Sequence, residues 1–165
     1  MLFRKAVRDD VNSVSAIYEA VKGTRFCVWD DSYPGEEEIN SDLAAGCLYV
    51  LEDAKEVIGA ISIVPENETD GFLCWQVRQN AREFARVVIR PDRQAQGLSR
   101  LLIDGVLKEL RAMNAAAVHI SMAKGNIPAQ KLYAKAGFVI RGEAEIFGDS
   151  YYLCELILGP EGGKS

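Results

Sequence analysis

Apolar residues along this chain recur in two rhythms, at three- and four-residue spacing over some stretches and in alternating or continuous runs over others. Leu2 to Val7 reads as a short strand. Asp9 and Asp10 follow as candidate helix caps, and Val11, Val14, Ile17, Tyr18 and Val21 then fall on one face of a helix that Gly23 ends. Asp30-Asp31-Ser32-Tyr33-Pro34-Gly35 is a turn sequence, and Glu36-Glu37-Glu38 places carboxylates at the positive start of a second helix reaching about Ala45, closed by Gly46. Cys47 to Leu51 and Val57 to Val64, separated by residues 52–56, predict an antiparallel hairpin that Pro65 stops. Glu66 to Arg82 carries turn formers together with the bulky Phe72 and Trp75, and reads as a loop.

From Glu83 the order changes to strand, helix, strand, helix and two strands. Phe84 to Ile89 is the first of these. Leu98, Leu102, Val106 and Leu110 mark one face of a long helix ending before Asn114, and Ala115 to Met122 forms a buried strand. Asn126 opens a helix with Ala129, Leu132 and Tyr133 inward and Gly137 at its end, and Phe138 to Arg141 and Tyr151 to Leu158 are the last strand pair. A long strand–helix–strand crossover implies parallel neighbours, so the sheet is mixed and the class is α+β or α/β. With 165 residues the default is one domain, over 1–158, and Gly159 to Ser165 is expected to fray.

Composition narrows the possibilities. An apolar share of 48% and a charged share of 26% exclude disordered, collagenous and coiled-coil chains. No apolar run approaches the ~20 residues that cross a bilayer, and Met1-Leu2-Phe3-Arg4-Lys5 has charges where a signal peptide needs apolar residues, so a cytoplasmic protein without membrane contact is expected. Cys27, Cys47, Cys74 and Cys154 are scattered, with His119 the one histidine, which points to buried reduced thiols and no metal site. The charge is uneven: residues 1–80 carry 7 Lys and Arg against 15 Asp and Glu, and residues 81–165 carry 12 against 9. Arg86, Arg90, Arg93 and Arg100 cluster with only Asp92 opposing them locally, which favours a polyanionic ligand there, while the acidic half points to a cationic partner. A pI near 5.0 argues against long nucleic acid.

Pro91-Asp92-Arg93-Gln94-Ala95-Gln96-Gly97-Leu98-Ser99 joins a strand to the start of the long helix. Such junctions present unpaired N–H groups and the positive dipole end, so phosphate groups bind there. Gly97 lets the backbone approach an anion, and small Ser99 keeps the first helical turn clear. Neither G-x-G-x-x-G nor G-x-x-x-x-G-K-[ST] is present, which lowers dinucleotide and nucleotide-hydrolase readings.

Gln94-x-x-Gly97-x-Ser99 resembles the acetyl-CoA pyrophosphate motif of the GNAT N-acetyltransferase superfamily, Gln/Arg-x-x-Gly-x-Gly/Ala, with Ser99 its one departure. Asn126-x-x-Ala129-x-x-Leu132-Tyr133-x-x-x-Gly137-Phe138 is similar to the second signature of that superfamily, and Val87-Val88-Ile89-Arg90-Pro91 to its pyrophosphate-side strand. The resemblance spans about residues 83 to 141. It implies a mixed, mostly antiparallel sheet of six to seven strands with about four helices and a parallel pair splayed at the acetyl-CoA site. It further implies coenzyme contacts from Val87, Val88, Ile89, Gln94, Ala95, Gln96, Gly97, Leu98, Ser99, Arg100, Asn126 and Tyr133.

The implied reaction is direct transfer of an acetyl group from acetyl-CoA to a primary amine, without metal. The amine must lose a proton, the thioester oxygen must be stabilised, and the departing thiolate benefits from a proton. By the resemblance the main chain near Val88 stabilises the oxygen, and Tyr133 is the acid; its other role would be a buried aromatic of the helix face. Glu83 is the candidate base, with His119 or water as alternatives, although a histidine inside Ala115–Ile120 is more often a hydrogen-bonded sheet residue. The acceptor segments of the superfamily correspond to about residues 22–38 and 66–82. They hold Trp29, Tyr33 and Trp75 with Asp30, Asp31, Glu36 to Glu38, Glu68, Asp70 and Phe72, a mixture suited to a cationic small-molecule or protein amine. A non-catalytic acetyl-CoA sensor or complex subunit, and an unrelated domain for phosphorylated ligands, are the competing readings, and a homodimer is compatible with the superfamily.

Overall fold

Spacing at three and four residues produces the first helix: α1 (Val11–Val21) buries Val14, Ile17, Tyr18 and Val21 along one stripe. Each such aliphatic side chain contributes about 1.5–3 kcal/mol. Before it lie β1 (Leu2–Lys5) and a short 3₁₀ turn over Arg8–Asp10. Asp10 does not cap α1 with its side chain as expected. It is buried beneath Arg4, whose Nη1 and Nη2 donate to it at 2.7 and 2.9 Å, and it accepts the Val7 N–H at 2.7 Å. The computed structural model describes residues 1–65 and 71–159.

The remaining elements are α2 (Glu36–Ala44), β2 (Leu48–Asp53), β3 (Glu56–Val64), β4 (Ala81–Ile89), α3 (Leu98–Ala112), β5 (Ala117–Ala123), α4 (Ile127–Ala136), β6 (Val139–Ile146) and β7 (Asp149–Ile157). The seven strands form one sheet in the order β1-β2-β3-β4-β5-β7-β6. β4 and β5 are parallel, pairing Ala81–Glu83 with Ala117–His119, and the recorded β1–β2, β2–β3, β5–β7 and β6–β7 pairings are antiparallel. This is the mixed α/β architecture the resemblance implies, with seven strands and four helices. The first strand of the expected last pair, Phe138 to Arg141, starts at Val139 and is longer, because β6 and β7 form a hairpin in which β6 continues to Ile146. The expected loop over Glu66 to Arg82 ends at Asn80; Glu68 and Asp70, like residues 160–165 of the expected frayed tail, lie outside the described residues.

Chain contacts group into two compact units, one comprising Met1–Ile63 and Ala85–Val106, the other Val64–Phe84 and Leu107–Ser165. In the first, α1, Ile39 of α2, Leu48 and Val50 of β2, Val57 and Ala60 of β3 and Val88 of β4 share one apolar cluster. Gly59 makes this possible, since a Cβ there would sit 2.9 Å from the Val88 carbonyl oxygen and 2.6 Å from Ile89. In the second unit Val118, Ile120, Leu153 and Cys154 are buried in the sheet, and Phe138 packs against both Phe84 and Tyr133.

Candidate active site

In the first unit, β4 ends in the segment that joins it to α3. Val88 and Ile89 are buried, and the chain then makes a 3₁₀ turn over Pro91–Arg93. Gln94, although exposed, turns its amide back, Nε2 donating to the Ile89 carbonyl at 3.1 Å and bracing the strand end. Ala95 and Gly97 both have left-handed backbones, at φ 60° and 76°, and α3 begins at once with buried Leu98. Alternating backbone of this kind turns successive N–H groups toward one concave face, next to the unpaired N–H groups and positive dipole of a fifteen-residue helix. Ala95, Gln96 and Gly97 are exposed, and a Cβ built on Gly97 meets nothing within 4 Å. The result is an open main-chain cradle of the kind that suits an anion. Gly97→Val forces a branched side chain into left-handed backbone and into that open face. We expect the acetyl-CoA dissociation constant to rise by about tenfold or more with little change in melting temperature. Calorimetric titration and a thermal melt check the two halves.

The arginines expected to draw a polyanion are already paired. Arg86 meets Asp42 at 2.7 Å, Arg90 meets Asp92 at 2.7 Å and Glu56 at 3.2 Å, Arg93 meets Asp53 at 2.7 Å, and Arg100 meets Asp104 at 2.8 Å. Sequence distance hid Asp42, Asp53 and Glu56. The expected cluster of unopposed arginines is corrected: each is matched by a carboxylate.

The same unit carries the segment with Trp29 and Tyr33. Trp29 is half-buried and meets Tyr18 edge-on at 5.4 Å. Tyr33 is 40% exposed, and its hydroxyl accepts from Arg86 Nη1 at 2.9 Å. Two of the nearby acids serve local structure: Asp30 accepts from the Ser32 N–H and hydroxyl, and Glu38 accepts the Gly35 N–H at 2.7 Å to start α2. Asp31, Glu36 and Glu37 remain exposed. Asp42, which the sequence did not single out, is buried and takes both Arg86 and the Ser62 hydroxyl.

In the second unit α4 starts as its sequence predicts, Asn126 Oδ1 capping the Ala129 N–H at 3.1 Å. Tyr133, about two turns on from Asn126, is 8% exposed and set edge-on against Phe138 at 5.3 Å. Burial, with a smaller contribution from Cys154, pushes its phenol well above the ordinary value, so it is fully protonated at neutral pH. Glu83 is half-buried on β4, opposite His119 of β5. His119 itself is 1% exposed, stacked on Trp75 with ring centroids 4.0 Å apart, and its Nε2 lies 2.9 Å from Glu155. Trp75 is only 5% exposed and spends its ring on that stack, so it does not present the surface expected of an acceptor contact. Glu155, also unsignalled by the sequence, accepts from the N–H groups of Gln76 and Val77 and from Arg141 Nε at 2.9 Å, and so ties the 71–80 segment to β6 and β7.

All four cysteines are free thiols; Cys47 and Cys154 are buried, and Cys27 and Cys74 only half-buried, a correction to the expectation that all four lie inside. Burial, reinforced for Cys47 by Asp42, pushes the thiols of Cys47 and Cys154 up to about 11. Among the described residues no group of three or more His, Cys, Asp or Glu is placed to hold a metal, and no helix is long and apolar enough to cross a membrane.

The model of the Acetyltransferase (GNAT) family matches residues 14–138. The chain belongs to the GNAT acetyltransferase family. It is accordingly an acetyl-CoA-dependent N-acetyltransferase, with acetyl-CoA as cosubstrate. No curated protein matches this GNAT sequence. Among solved structures, the ribosomal-protein-alanine N-acetyltransferase of Brucella melitensis is similar at 21% identity and TM-score 0.77, covering 96% of this chain and 100% of that one. A Salmonella typhimurium protein assigned as an acetyltransferase, yncA, solved with its cofactor acetyl-CoA, is similar at 20% identity and TM-score 0.78, covering 100% and 98%. The ribosomal-protein-S18-alanine N-acetyltransferase of Escherichia coli has 16% identity, TM-score 0.74 and 99% coverage of both chains. At these identities the likeness is one of fold.

Proposed function

We propose that this GNAT protein acetylates a primary amine of a cationic acceptor by direct attack on acetyl-CoA, within one domain over residues 1–158. The single observation that carries the reading is the open main-chain cradle at Ala95–Leu98, with left-handed Gly97 and, among the described residues, nothing within 4 Å of a Cβ built there. Acetyl-CoA supplies the activated acyl group. Gly97, Leu98 and Ser99 hold its diphosphate through their N–H groups, with Gln96 and Arg100 beside them, while Gln94 braces the strand end. Main chain over Val87, Val88 and Ile89 orients the thioester and stabilises charge on its oxygen. Tyr133 gives its phenolic proton to the departing sulfur, and Asn126 holds the start of its helix. Glu83 takes the proton that the amine loses, directly or through water. His119, enclosed by Trp75 and Glu155, is left to structure. Trp29 and Tyr33 line the acceptor side. With every thiol unpaired, the protein is suited to a reducing, cytoplasmic compartment.

An acetyl-CoA-dependent thiol-release screen tests the reading across polyamines, aminoglycosides, amino acid derivatives and peptides. An alanine N-terminus belongs in the panel because two similar structures are named for acetylating alanine of ribosomal proteins. Amine-dependent thiol release is expected. Tight acetyl-CoA binding with no release for any amine would instead leave a sensor. Glu83→Gln is expected to move the rising limb of the pH–rate profile toward higher pH, where solvent supplies free amine. An unmoved profile under saturating substrates would transfer the base to water.

A further inference from the structure

Strand β4 turns left-handed at one residue. Arg86 adopts φ 52°, left-handed geometry that residues with a Cβ disfavour and that a fold keeps only when its surroundings enforce it. Its side chain shows what enforces it. Nε and Nη2 grip the Asp42 carboxylate of α2 at 2.9 and 2.7 Å, and Nη1 donates to the Tyr33 hydroxyl at 2.9 Å. Asp42 takes a further hydrogen bond from Ser62 of β3 at 2.5 Å. Asp42 is buried and the Arg86 side chain is only 11% exposed, so each charge is costly without the other. One ion pair therefore ties α2, the turn carrying Tyr33 and the strand that carries Val87 and Val88, and through the Asp42 carboxylate reaches Ser62 of β3.

We propose that Asp42 and Arg86 are positioning residues for acetyl transfer: their buried ion pair holds the left-handed turn at residue 86 and thereby aims the main chain of Val87 and Val88. This rests on the role given above to that main chain. Neither side chain is assigned a contact with substrate, because the donors of Arg86 are spent on Asp42 and Tyr33.

Glycine separates the backbone role from a role of the guanidinium, since it adopts the same φ without penalty while removing the side chain. Comparing Asp42→Asn/Arg86→Ala with Asp42→Asn/Arg86→Gly avoids stranding a buried carboxylate. The glycine variant is expected to turn over about tenfold faster than the alanine variant in the thiol-release assay, the factor by which left-handed backbone disfavours a Cβ. Equal rates in the two variants, whether both slow or both at the parental rate, would overturn the proposal. A crystal structure of Asp42→Asn decides the conformational claim without turnover: residue 86 leaving the left-handed region supports the lock, and an unchanged φ refutes it. A parent that folds and binds acetyl-CoA yet releases no thiol would refute the proposed function instead, and the crystallographic comparison would still decide the lock.

Discussion

Tyr133→Phe is expected to lower kcat by about 10²-fold or more while leaving acetyl-CoA affinity within about twofold, the scale on which loss of a positioned proton donor acts. The phenol is buried against Phe138, and the burial that raises its pKa keeps it protonated through neutral pH. The substitution removes one oxygen from a buried ring and preserves the edge-on packing, so the melting temperature should hold. Kinetics at saturating amine, with calorimetric titration of acetyl-CoA, separate the two parameters. A variant with parental kcat would remove Tyr133 from the chemistry and leave it as an aromatic of the helix face.

Glu155→Ala is expected to destabilise the protein by about 3–5 kcal/mol, the range for breaking a buried charge network by removing one member. That corresponds to a fall of about 10 °C in melting temperature for a chain of this size. The carboxylate is wholly buried and joins His119, Arg141 and the amides of Gln76 and Val77. Burial alone would raise its pKa, but the N–H of Val77, His119, the N–H of Gln76 and Arg141 together outweigh it and hold the carboxyl below the ordinary value of 4.5. A pKa depressed on folding stabilises above the unfolded value and is lost as pH falls through the folded one. The parent should therefore weaken below about pH 4.5, and Glu155→Gln should be less stable near neutrality with a flatter acid limb. Urea melts from pH 7 to pH 3 measure this, and parallel curves for parent and variant would remove Glu155 from the acid response.

Local chemistry was legible in the sequence and long-range chemistry was not. The α1 stripe, the Asn126 cap and the Gly97 turn each depend on residues a few positions apart, and each forms where the pattern places it. The start of β4 was missed because Ala81, Arg82 and Glu83 have no strand pattern of their own; they are extended through pairing with Ala117 to His119. Asp42 lies 44 residues from Arg86, Asp53 lies 40 from Arg93, and Gln76 lies 79 from Glu155, so no window along the chain joins them. Trp75 carried the signal of an exposed recognition aromatic, and its stack on the distant His119, which no local pattern announces, accompanies its turning inward.

The pairing of the arginines around the Gly97 turn has a further consequence. With each guanidinium matched by a carboxylate, these arginines leave little long-range field to pull a charged cosubstrate in from solution. What the turn offers is directional, short-range and fixed in spacing. On the proposed reading, a polyphosphate would be chosen there by where its oxygens fall and not by how much charge it carries.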